Sequence, residues 1–288
     1  VHADVVRTNG SIAGGRFAVI GYGSLGGEEL GFGSDLDLVF VFDAESAAVS
    51  NGARPLEPGR WYARLAQKLV ALLAVVTGAG RLYDVDVRLR PEGAKGLLVS
   101  SLASYREYQL KRAWIWEHQA LVRARGVAGD ASLLEEFDAI RAATLSQSRD
   151  ATELRGKIVD MRLKMRAELD RSDAARFDLK QGVGGLVDLE FLLQYLVLRD
   201  SRAHAGLLVP RDTQSLILAA QAIGSFDPVQ SEALRRVQGW FVAQGLICTL
   251  DRRQRLLPES DALIEARAIV QEAVRAHGLS FEPPTQPL

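Results

Sequence analysis

Strand and helix signals that alternate up to about residue 100, followed by nearly pure helical periodicity, predict an α/β domain joined to an all-α bundle. The whole is α+β and helix-rich. Three observations carry this expectation. Apolar runs at 17–20 and 35–42 have strand length and are bounded by glycine-rich turns. Between later glycines, Leu65, Leu69, Leu72 and Val76 recur at helical spacing instead. Beyond Ser100 strand signals fade, and Leu154, Ile158, Met161, Met165 and Leu169 form a 3–4 stripe, with Arg155, Lys157, Arg162 and Lys164 on other faces.

Taken in order, residues 17–20 form a strand that runs into the turn Gly21-Tyr22-Gly23-Ser24, and residues 25–30 form one short helix whose N-terminus faces that turn. Residues 35–42 are the second strand, and glycine and proline over 51–59 mark a loop. The helix over 61–76 covers the sheet and ends at Gly78-Ala79-Gly80; a third strand over 82–89 stops at Pro91. Alternation places Asp84, Asp86, Arg88 and Arg90 on one face of that strand, with Val85, Val87 and Leu89 on the other. One side of the sheet is thus covered and the other is a charged cleft. Residues 101–125 read as helical, and the break over 126–130 sets a boundary between domains 1–128 and 129–288. Helices over 186–198, 213–223, 228–250 and 260–277 then build an antiparallel bundle, and Pro283, Pro284 and Pro287 mark a frayed tail.

Composition excludes several classes. With 288 residues, 48% hydrophobic, 25% charged and a formal net charge of −1, nothing points to a nucleic-acid or membrane partner. The longest apolar run, 69–76, is far short of the about 20 residues that span a bilayer. A single cysteine, Cys248, and no visible signal peptide fit a reducing, cytoplasmic setting. A start at Val1 reads as a piece of a longer polypeptide.

The chemistry concentrates at Gly23-Ser24 and at Ser34-Asp35-Leu36-Asp37-Leu38, which begins ten residues after Ser24. Aspartate is depleted in strands, and carboxylates held together are costly unless paired or bound to metal. Asp35 and Asp37 interrupt an otherwise strong strand and fall on one face of it. Two such acids call for a divalent cation, and Mg²⁺ prefers one or two carboxylates plus substrate phosphates. Backbone amides of a glycine turn suit phosphate oxygens, with Ser34 beside them. Asp86 is the third acid, with Asp84 as its neighbour on the same face. Arg88 and Arg90 suit phosphate or an ion pair with Asp84 or Asp86 equally well. Ser24 also suits a simple turn. Trp116, Glu117 and His118 suit either the cleft or helix packing. Gly182 to Gly185 lacks the Lys-Ser/Thr of a phosphate loop and reads as a tight turn between helices.

The Gly-Ser turn, the paired acids and the distant third acid together resemble the nucleotidyltransferase superfamily built on a polymerase-β-like palm. The resemblance narrows with Gly21-x-Gly23-x-Leu25-Gly26-Gly27-x-Glu29-Leu30, Val85-Asp86-x-Arg88-Leu89-Arg90-Pro91, Gly93-x-x-Gly96-x-Leu98-Val99 and Gly184-Gly185-Leu186-Val187-Asp188-Leu189-Glu190-Phe191. This set is similar to the bacterial glutamine synthetase adenylyltransferase/adenylyl-removing family. The run from Trp114 to Arg125, together with Phe177-Asp178-Leu179-Lys180, is similar to its C-terminal adenylylating unit.

The resemblance implies transfer of AMP from ATP to a tyrosine of glutamine synthetase, with the signal protein PII as regulator. Asp35, Asp37 and Asp86 would hold Mg²⁺, with Mn²⁺ as the second option. Gly23, Ser24, Ser34, Arg88 and Arg90 would meet nucleotide phosphate, and Asp188 and Glu190 would face the cleft from the bundle side. The chain departs from the family pattern at Ser24, where lysine is usual, and at Glu28, where arginine is usual. The adenylyl-removing unit and a non-catalytic nucleotide- or PII-binding module are the alternatives.

Overall fold

The structure is a computed structural model that describes residues 1–282. The proline-marked tail over 283–287 lies outside the described residues. The chain divides into two compact units, Val1–Thr144 and Leu145–Leu288.

The first unit holds α1 (His2–Asn9), β1 (Arg16–Gly21), α2 (Gly23–Gly26), β2 (Leu36–Asp43) and α3 (Pro58–Leu73). It continues with β3 (Val76–Thr77), β4 (Gly80–Arg81), β5 (Val85–Asp86), β6 (Val99–Ser101), α4 (Leu102–Lys111), α5 (Ile115–Val122), β7 (Arg125–Gly129) and α6 (Ala131–Leu145). Its sheet is small and mixed. β1 lies antiparallel between β2 and β7, while β5 and β6 both run parallel to β2 on its other edge. Alternation along β2 sends Leu36, Leu38, Phe40 and Phe42 into a core with Trp61, Tyr62, Leu65 and Ala66 of α3. Tyr62 stacks on Phe42 with ring centroids 4.8 Å apart. Asp37 therefore shares its face with Val39 and Val41, opposite α3.

Several expected elements shift, each for a local reason. The helix expected over 61–76 stops at Leu73, because the β-branched Val75-Val76-Thr77 and the glycines after it form the β3–β4 hairpin. The third strand shrinks from 82–89 to Val85–Asp86. Asp86 Oδ1 accepts the Arg88 N–H at 2.7 Å, which turns the backbone two residues on. The helix expected over 101–125 is two, with Trp114 N–H donating to Glu117 Oε2 at 2.8 Å to start the second. Residues 126–130, expected to be a boundary, instead supply most of edge strand β7. Its glycines allow close approach: a Cβ at Gly129 would lie 2.3 Å from the Phe17 carbonyl oxygen. Helix α6 accordingly groups with the first unit, Phe137 packing on Tyr105 of α4 with ring centroids 5.7 Å apart.

The second unit contains α7 (Ala151–Leu169), β8 (Arg176–Asp178), α8 (Leu186–Asp200), α9 (Thr213–Ala222), α10 (Pro228–Leu250), β9 (Leu256–Pro258) and α11 (Asp261–Ala276). Side-chain caps from Asp150, Asp212, Asp227 and Ser260 set four of these starts. The short antiparallel pair β8–β9 interrupts the otherwise helical unit. On α7 the buried positions are Leu154, Ile158, Arg162 and Arg166, so the apolar stripe predicted through Met161, Met165 and Leu169 gives way to two arginines. Among the described residues no helix is long and apolar enough to cross a membrane.

Candidate active site

The turn between β1 and α2 is shaped by Gly23, which adopts φ +53°. A Cβ there would lie 2.3 Å from Asp37 Oδ2, so the absent side chain is what lets the carboxylate rest against the turn. Tyr22 N–H donates to the Asp37 carbonyl at 2.9 Å, which ties the turn to β2. The first amides of α2, from Gly23, Ser24 and Leu25, have no partner within the helix. Ser24 is partly exposed there, and the α2 N-cap, Tyr22, makes no side-chain cap bond. Ser34 Oγ accepts the Gly31 N–H at 3.1 Å and closes the loop that leads into β2.

Asp37 pairs in register with Asp86 across the parallel strands β2 and β5. Neighbouring strands lie about 4.8 Å apart, so the two carboxylates share one face. Asp35 is exposed, just ahead of β2 and in the same alternation. Asp84 turns aside to pair with Arg81.

Arg88 donates to Asp86 through Nε at 2.8 Å and Nη2 at 2.5 Å on Oδ2, which holds the Asp86 carboxyl below its ordinary pKa. Asp86 in turn raises the Arg88 guanidinium above its usual value, with Asp37 and Asp35 adding to the effect. Of the two readings of Arg88, the ion pair is the one present. Arg90 donates instead to the carbonyls of Val87 at 2.5 Å, Gly96 at 3.1 Å and Ala94 at 3.2 Å. It pins the 91–96 turn and makes no hydrogen bond to the acids, although its charge still helps to lower the Asp86 pKa.

Among the described residues, no three of His, Cys, Asp and Glu converge as a ready metal cluster. The donor set nonetheless suits a hard divalent ion. Two carboxylates stand on adjacent strands, a third precedes them, and the missing Cβ of Gly23 leaves the space in which the Asp37 carboxylate rests.

Behind the turn lies a support that spacing alone does not reveal. Arg123, buried, pairs with Glu29, and its backbone and guanidinium press so closely that a Cβ at Gly26 or Gly27 would meet them. Arg125 Nε donates to the Gly26 carbonyl at 2.8 Å, and its Nη1 lies 3.3 Å from Glu28. The Gly26-Gly27 pair and the Arg123-x-Arg125 pair are thus two halves of one contact. Glu117 and His118 face inward: Glu117 accepts from Tyr108 Oη at 2.8 Å, and His118 Nε2 lies 2.9 Å from the Gln109 carbonyl. For these two, helix packing is the role present.

Asp188 lies in the interior of the second unit. It takes Arg162 Nε at 2.6 Å, Arg166 Nη2 at 2.6 and 2.7 Å, and the Gly184 N–H at 2.7 Å. Expected at the edge of a cleft, it is instead enclosed by buried donors. Glu190 is half-buried on the same helix. Gly182 fits against the Phe177 ring, consistent with a tight structural turn.

Residues 4–140 match the model of the family described as glutamate-ammonia ligase adenylyltransferase. The bifunctional glutamine synthetase adenylyltransferase/adenylyl-removing enzyme of Stenotrophomonas maltophilia (strain K279a) is 62% identical over 280 residues, 97% of this chain and 30% of that protein. Residues 4–140 belong to the glutamate-ammonia ligase adenylyltransferase family. The enzyme of the same name from S. maltophilia (strain R551-3) is 63% identical over 281 residues, again 97% of this chain and 30% of the relative. That of Xanthomonas axonopodis pv. citri (strain 306) is 56% identical over 280 residues, with the same two shares. The chain therefore spans about three-tenths of the length of these relatives. The stretch matching the adenylyltransferase family encloses the turn, Asp35, Asp37, Asp86, Arg88 and the Arg123–Arg125 support, while Asp188 and Glu190 lie beyond it.

Proposed function

We propose that the chain is the adenylylating nucleotidyltransferase unit of such an enzyme, built on a polymerase-β-like palm. It transfers AMP from ATP to a tyrosine hydroxyl of glutamine synthetase and releases pyrophosphate. The observation that carries this reading is the register of Asp37 beside Asp86 against the Gly23 turn. The names of the relatives supply the transferred adenylyl group and the target.

Asp35, Asp37 and Asp86 would hold the divalent ions, Mg²⁺ or Mn²⁺. When bound, these neutralise the triphosphate and draw a phenol with an ordinary pKa of about 10 toward phenolate. The Gly23 and Ser24 amides hold the β- and γ-phosphates, and Ser34 keeps the loop beside them closed. Asp86 helps to take the phenolic proton. The phenol oxygen bonds to the α-phosphorus as the α–β bridging bond breaks, and the electron pair leaves with pyrophosphate. Arg88 offers that leaving group a cation. PII as regulator and Glu190 as a further site residue rest on the family resemblance alone.

Incubation of the chain with glutamine synthetase, Mg²⁺ and labelled ATP tests the reading. Asp35→Asn is expected to lower labelling by about a hundredfold, the scale of losing one transition-state charge partner. Undiminished labelling rejects the assignment. The relatives' names also carry adenylyl removal; production of ADP from adenylylated glutamine synthetase and phosphate would assign that activity to this unit instead.

A further inference from the structure

We propose that Arg88 is an internal competitor of the metal: in the free protein it occupies Asp86, and it yields that acid when nucleotide phosphate gives it another partner. This rests on the metal–nucleotide reading of the site given above.

Both oxygens of Asp86 are engaged by the one residue. Oδ1 accepts the Arg88 N–H at 2.7 Å and Nε at 3.0 Å, while Oδ2 accepts Nε at 2.8 Å and Nη2 at 2.5 Å. The Arg88 side chain is 77% exposed and that of Asp86 only 19%, so the guanidinium covers the acid from the solvent side. Asp37 stands beside Asp86 in register, so a cation at Asp86 lies where an ion shared by the two acids has to enter. The other charged groups of this stretch are anchored elsewhere, Arg90 on three carbonyls and Asp84 on Arg81.

A guanidinium fork matches phosphate as well as carboxylate, and an exposed arginine stem swings at little cost. Free metal must displace Arg88 into water. Metal arriving with a nucleotide replaces the cation at Asp86 and supplies the anion that receives Arg88. Metal and nucleotide then bind with positive coupling, and each raises the other's affinity by the same factor.

Mn²⁺ binding to the chain, followed by the paramagnetic resonance of the free ion with and without a non-hydrolysable ATP analogue, tests this. Arg88→Ala is expected to tighten Mn²⁺ in the absence of nucleotide by about fivefold, the scale of an exposed ion pair. The same variant shrinks the gain produced by the analogue. Arg88→Lys, which keeps the charge and loses the fork, falls between. Should Arg88→Ala be poorly folded by circular dichroism, Arg88→Gln takes its place. Mn²⁺ affinity unchanged or weakened by removal of Arg88, with the analogue's gain intact, overturns the proposal. In that event, loss of Mn²⁺ binding in Asp35→Asn leaves the metal reading standing. Wild-type Mn²⁺ affinity in Asp35→Asn overturns the metal reading itself.

Discussion

Asp86 and Asp188 are both aspartates held by arginine, and their surroundings are opposite. Asp86 meets one arginine that is largely in solvent. Asp188, with its side chain 3% exposed, meets Arg162 and Arg166 at 0% and 4%, plus the Gly184 N–H. Gln181 accepts from both arginines through its carbonyl, and from Arg162 also through Oε1 at 3.1 Å. The first arrangement can exchange its partner for a ligand. The second is enclosed, and every change to it falls on folding. Residue type is the same in the two places; burial and the number of donors decide which acid is available for chemistry.

The sharpest way to break this contrast is Asp188→Asn. It leaves two buried guanidinium groups facing a neutral amide. Removing one partner of a buried charge cluster costs about 3–5 kcal/mol. Urea unfolding of the chain should show a loss of this size, with the labelling activity of the folded fraction little changed. A loss below about 1 kcal/mol would mean that the cluster is not the closed structural device described, and that Asp188 is free for another role.

Gly23→Ala comes next and acts on the open side of the comparison. Alanine at φ +53° costs about 1–2 kcal/mol, and its Cβ would fall 2.3 Å from Asp37 Oδ2. The Asp37 carboxylate has to move, so labelling should fall further than the loss of folded protein explains. Stability measured in urea and labelling measured well below the unfolding transition separate the two effects. A variant that loses stability but labels fully would uncouple the turn from the acid.

What was legible in the sequence follows the same division between local and distant contacts. β1, β2 and helices α8 to α11 could be placed from apolar runs and helical period, and α10 was placed at its observed ends. The turn and Asp35-x-Asp37 stand out because acids in an apolar run are locally anomalous. The interior of α7 does not, because Arg162 and Arg166 complete a buried face only through Asp188, 26 and 22 residues away. Periodicity counts such residues as solvent-facing. β7, β8 and β9 are short, and their partners are distant or lie across a sheet edge. The support of the turn was visible as the motif Arg123-x-Arg125 but silent about its role, since Arg125 reaches Gly26 across 99 residues. Arg90 misled for a related reason: alternation presumes a continuing strand, and the Asp86-to-Arg88 bond ends the strand first.

Glu117 is a third kind of acid, and it gives the smallest and most specific test. It is buried, and its donors are neutral: Tyr108 Oη at 2.8 and 3.1 Å and Trp114 N–H at 2.8 Å. Burial raises its pKa above the ordinary carboxylate value, since these donors offset only part of the lost hydration. The folded state therefore holds this proton to higher pH than the unfolded chain does. Where the folded state binds more protons, stability falls as pH rises. The contribution is fully present below the unfolded pKa of about 4.3 and is lost as pH climbs through the raised, folded value. Glu117→Gln removes the titration, so its stability should fall less than that of the wild type across this window. The difference between the two pH profiles, from urea midpoints on the acid side of neutrality, is the readout. Parallel profiles would show that Glu117 is hydrated well enough to titrate normally. The proposed contrast between acids paired with arginine and acids held by neutral donors would then not extend to this residue.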